Sequence, residues 1–142
     1  MRPQPGIHVN SESKFASRVF LFAGVFGIIA LAPQYLLVGK VGFGMPGIID
    51  RPEYFYGFVG VGLVWQFACI LISRDVKRYR PFMPILMLEK LSFGVPVVLL
   101  YMQGRIGVDI LAAGCTDLTL GLFFLLAYRA TAPEGSRTVA AA

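Results

Sequence analysis

Four runs of mostly apolar residues, each about twenty long, dominate this chain of 142 residues. A helix rising about 1.5 Å per residue needs about that many to cross a hydrocarbon layer about 30 Å thick. The runs cover approximately residues 18–38, 52–73, 82–102 and 106–128. In lipid every backbone N–H and C=O must be paired within its own segment or in a closed barrel, and these runs lack the alternation of barrel strands. The expected fold is therefore all-α: an integral membrane four-helix bundle in a single domain, with polar tails over 1–14 and 131–142. Composition agrees, since 56% apolar and 15% charged residues are wrong for a soluble domain of this length.

The first run has a rival reading as a secretory leader, because Arg2, Lys14 and Arg18 precede an apolar stretch that reaches Ala30-Leu31-Ala32. Pro33 directly after that site, and the continuation through Leu36 and Leu37, favour a retained helix. Pro52, Pro81 and Pro84 sit where helices should start, a position at which the missing N–H is unpaired anyway. Pro33 and Pro96 lie inside spans and are expected to kink them. The stretch from Gly39 to Gly47 reads as a loop.

Orientation follows from the cations. Arg2, Lys14, Arg18, Arg74, Lys77, Arg78, Arg80, Arg129 and Arg137 fall on one side of the four-span scheme, and Lys40, Arg51 and Arg105 on the other. The positive-inside rule then places both termini in the cytoplasm. Arg74, Lys77, Arg78 and Arg80 are also candidate contacts for anionic lipid headgroups, although an orientation signal alone accounts for them. These cations flank apolar runs and form no aromatic-interleaved patch, so no nucleic acid is expected as a partner.

An ionisable group within a span costs a few kcal/mol unless it faces protein or water and has a partner. Glu89 and Lys90 lie roughly 12–14 Å in from the cytoplasmic end of the third helix, Asp117 roughly 16 Å and Gln66 roughly 10 Å by helix rise. All four can share one layer, a candidate intramembrane polar cluster. Gly114, Asp117 and Gly121 follow i, i+3, i+7 spacing, which turns the carboxylate toward a small-residue face. Gly62, Gln66, Cys69 and Ser73 form a similar stripe on the second helix. Lys90 lies about 100° around the helix from Glu89, so the two are expected to touch different neighbours. The functional reading is a proton relay, an ion path or a polar floor for a ligand. The structural reading is a charge-compensated cluster, Lys90 with Asp117 and Glu89 with Gln66 or protonated, that fixes helix packing.

Other chemistry is thin. The only histidine, His8, sits in a tail, so no membrane-embedded haem ligand is available, and no metal or other cofactor is expected. Cys69 and Cys115 fall within apolar runs and read as small buried residues. Glu53, Tyr54 and Tyr56, with Trp65 deeper, line an entrance or, for the tyrosines, form an interfacial aromatic belt.

From Arg51-Pro52-Glu53-Tyr54-Phe55-Tyr56-Gly57, through Arg74-Asp75 and Arg78-Tyr79-Arg80-Pro81, to Glu89-Lys90-Leu91, Asp117-Leu118 and Ala127-Tyr128-Arg129, the chain resembles small uncharacterised bacterial four-helix membrane proteins, DoxX-like in layout. The resemblance covers a little over half of the chain. It implies the fold and a bacterial inner membrane, and no reaction comes with it. The leading functional expectation is a non-enzymatic accessory or scaffolding subunit of a larger membrane complex, its partners the lipid bilayer and a membrane protein or a second copy. Phe20, Phe22 and Phe26 on the first helix and Phe123, Phe124 and Leu126 on the fourth are the expected partner-facing residues. The alternative is a small membrane binder or carrier of a lipid or quinone-like molecule.

Overall fold

A computed structural model describes residues 9–41 and 52–133. Its described residues contain no strand, and the elements are α1 (Val9–Val41), α2 (Pro52–Arg74), a single 3-10 turn (Arg80–Phe82), α3 (Met83–Met102) and α4 (Val108–Ala130). All four α-helices contain a stretch long and apolar enough to cross a membrane, as a multi-pass membrane protein requires. His8, Arg51, Arg137 and the connection over 42–51 lie outside the described residues.

Local chemistry sets the breaks. After α2 the chain turns at Asp75, whose carboxylate accepts the Arg78 N–H at 3.1 Å. Pro81 sits in the 3-10 turn and Pro84 in the first turn of α3, where neither removes a helix hydrogen bond. α3 ends at Gly104, whose φ of +68° lets the N–H groups of Gly104 and Arg105 return to the carbonyls of Tyr101 and Leu100. That is the left-handed glycine termination of a helix. Pro33 and Pro96 both lie inside helices.

α1 begins at Val9, well before the expected Arg18, so the described part of the segment read as a polar tail is helical. Tertiary contact explains the extension. Ala16 and Phe20 are wholly buried, and the Ser17 hydroxyl donates to the Ser73 carbonyl at 2.7 Å, tying the first turns of α1 to the last turn of α2.

α1 packs along α2 and also against α4, and α3 packs along α4. The helices thus follow the spatial order α2, α1, α4, α3, and the closing contact between α2 and α3 is sparse. The core gathers at the end where α1 and α3 begin and α2 and α4 finish: Ala16, Phe20, Ala23, Cys69, Ile72, Val76, Met83, Leu86, Leu120, Phe124 and Ala127. Phe20 and Phe124 stack at its centre with ring centroids 4.5 Å apart. This corrects the expectation that both rings face a partner: each is 0% exposed, while Phe22, Phe26, Phe123 and Leu126 are exposed. Cys69 is buried as expected and Cys115 is exposed.

Candidate functional site

Beyond that core the two helix pairs separate and leave a cavity of about 720 Å³, to which all four helices contribute. Along α2 it runs from Glu53 and Tyr54 to Gln66, about 20 Å of helix rise. Its wall is largely apolar and aromatic, with Phe26, Phe58, Trp65 and Phe93. Phe58 and Phe93 face each other across the gap between α2 and α3 at 5.8 Å. Of the residues read as a possible entrance, Glu53, Tyr54 and Trp65 line the cavity, whereas the Tyr56 ring lies 5.5 Å from that of Tyr35 on α1.

The polar floor consists of Gln66, Glu89, Lys90 and Asp117, all lining this one space. Small residues bring the layer together. A side chain at Gly27 would overlap the Gln66 amide in its present place, and one at Gly121 would press on Lys90 Cβ at 3.3 Å, so glycine at both positions lets the helices approach closely. The Lys90 ammonium lies 3.2 Å from Glu89 Oε2 and 3.2 Å from Asp117 Oδ1. Glu89 and Lys90 therefore pair with each other as well, and Lys90 alone goes on to Asp117. Their Cα positions diverge around the helix, but a four-carbon stem reaches back far enough for one ammonium to serve both acids. Gln66 is buried, and its amide nitrogen donates to the Gly62 carbonyl of its own helix at 3.1 Å, not to Glu89.

The basic end is a separate feature. Arg74, Lys77 and Arg78 are exposed. Arg80 is half-buried: its guanidinium carbon lies 3.9 Å from the Tyr128 ring centre, and a terminal nitrogen donates to the Tyr128 carbonyl at 3.4 Å. It thereby clamps the turn before α3 to the end of α4. Lys14 and Arg18, not expected at a site, join Arg74 and Lys77 around a shallow hollow of about 310 Å³. The longer α1 places them there, and their i, i+4 spacing ahead of the first apolar run was the available signal.

Sequence reasoning missed the rest of the cavity wall. Gly57, Phe58 and Phe93 carry no pattern that separates a cavity-facing residue from a lipid-facing one, because both surroundings are apolar. No group of metal-ligating residues occurs among the described residues. The chain matches no family model, no curated relative and no solved structure.

Proposed function

We propose that this chain is a membrane-embedded binder of an amphiphilic molecule, lipid or quinone-like in build, whose polar head reaches Glu89, Lys90 and Asp117 while its apolar body lies along the cavity wall. The cavity carries this reading: its volume of about 720 Å³ falls in the range of small-molecule sites, which are mostly apolar with a few convergent polar groups. Ionisable side chains at such depth are costly and mark substrate or ion sites by default. No reaction on the occupant belongs to this reading, since both carboxylates share one ammonium, an arrangement suited to fixing a head group.

Gly57 offers a direct test, because it lines the cavity and a Cβ there would meet nothing within 4 Å. Native mass spectrometry after extraction in mild detergent should find an amphiphile on the wild-type chain and none on a folded Gly57→Phe variant. Identical spectra from the two would overturn the reading.

The proposal extends to placement in a bacterial inner membrane with both termini cytoplasmic, supported by the gathering of Lys14, Arg18, Arg74 and Lys77 at one end of the bundle. The mouth beside Glu53 and Tyr54 then faces the opposite side. Reporter fusions at residue 142 and within 42–51 should signal opposite compartments, and like signals would reject this orientation.

A second reading, an accessory subunit within a larger assembly, draws on one further observation. Phe15, Val19, Phe22, Phe26 and Phe123 line an apolar groove of about 590 Å³ between α1 and α4, which has room for another protein's side chains. Crosslinking from position 22 or 123 to a stoichiometric membrane protein would favour this reading, and a monomer without crosslinks would reject it.

A further inference from the structure

We infer that the occupant of the cavity is a lipophilic organic cation. This rests on the ligand-binding reading above and adds the sign of the ligand's charge. Four ionisable acidic or basic residues line the cavity: the carboxylates of Glu53, Glu89 and Asp117, and the ammonium of Lys90. The lining is therefore formally acidic, although the chain as a whole carries +5.

The layout of the floor makes the asymmetry stronger than the count. The Lys90 side chain is 5% exposed, held between the two acids, whereas Glu89 and Asp117 keep 20% and 21% of their side-chain surface open. Of the charged groups on the floor, the two carboxylates are thus more open to an entering head group than the ammonium between them. Lys90 balances one of the two floor carboxylates, and no second cation stands among the described lining residues to balance the other. An uncompensated charge in an apolar wall is costly. A proton on one carboxyl or a cationic head removes that cost; an anionic head adds to it, and among head groups only a cation offsets it. The remainder of the wall suits such a ligand: the aromatic side chains of Phe26, Phe58, Trp65 and Phe93 line it, and ring faces attract organic cations while accepting apolar bodies.

Trp65 is the single tryptophan of the chain and lines the cavity, so its emission reports occupancy directly. The purified full chain in an uncharged detergent is titrated with three probes of similar build: tetraphenylphosphonium, tetraphenylborate and the neutral triphenylphosphine oxide. The phosphonium should bind saturably and at least about tenfold more tightly than the borate, a modest demand for a partly desolvated charge contact. Glu89→Gln leaves Lys90 balanced by Asp117 and strands no charge; it should remove most of the phosphonium preference while the neutral probe still binds. Borate binding equal to or tighter than phosphonium binding overturns the cation inference and leaves the binder reading standing, as does binding of the neutral probe alone. If none of the three probes gives a response that Gly57→Phe abolishes, both fall. Should Glu89→Gln fail to fold, the wild-type comparison of phosphonium with borate decides the matter unaided.

Discussion

The same four helices form a tightly packed end and an open end, and the difference lies in what each pair of facing surfaces offers the other. At the basic end Ala16, Ala23 and Ala127 let the backbones approach, and Phe20 and Phe124 fill the space between them. At the other end Tyr54, Phe58 and Val61 on α2 are exposed, and α2 meets α3 chiefly ring against ring. Lipid is as apolar as leucine, so no hydrophobic force closes a gap between helices; association rests on close packing and polar contacts. Where alanines let two stacked rings fill the centre the bundle is tight, and where α2 and α3 scarcely touch it stays open around its ion cluster. Close packing is thereby concentrated at one end, and the other keeps an open cavity.

The largest expected effect tests that division. Phe124→Ala should cost about 2–3 kcal/mol in detergent unfolding, below the roughly 3–5 kcal/mol of water-soluble cores because the surrounding medium is apolar. Phe58→Ala, at a residue 54% exposed, should stay within about 0.5 kcal/mol of wild type. Equal losses would mean that both ends carry the fold.

Lys90→Met comes next. It leaves Glu89 and Asp117 without their shared cation and should cost about 2 kcal/mol, less than a fully buried pair because both acids keep some exposure. Combined with Asp117→Asn, the loss should fall short of the sum by about 1 kcal/mol or more in a thermal-stability cycle. Strict additivity would show that the two groups are not coupled.

The smallest effects differ in sign. At Gly94 a Cβ would lie 3.0 Å from the Gly114 carbonyl oxygen and press on Leu118, so Gly94→Ala should cost about 1 kcal/mol as α3 and α4 are forced apart. At Gly57 the space is open, and Gly57→Ala should gain about 0.5 kcal/mol from helix propensity alone. Stabilisation at Gly94 would remove the case for close α3–α4 packing.

Much of the fold is legible in the amino-acid sequence. Lengths of apolar sequence and the prolines locate the helices, because the thickness of a bilayer and the missing proline N–H act locally. Helix rise places Gln66, Glu89, Lys90 and Asp117 at similar depth, and the Gly114, Asp117, Gly121 spacing puts that carboxylate on the small-residue face, since both depend only on regular helix geometry. The buried stack of Phe20 on Phe124 is not legible there. A soluble helix declares its inner face by polarity, but these helices are apolar all round, and Phe123 and Phe124 look alike in sequence.

What the sequence by itself determined is therefore the number of helices, their apolar character and the depth of the charged groups, all properties of single segments. Only the tertiary structure decided which faces meet: that α2 and α3 stay apart around a cavity, that Lys90 serves both acids, that Gln66 bonds to its own helix and that Arg80 lies over Tyr128. Those outcomes depend on shape complementarity between segments distant in the chain. In a medium as apolar as the side chains, the hydrophobic pattern of one helix carries no record of that complementarity.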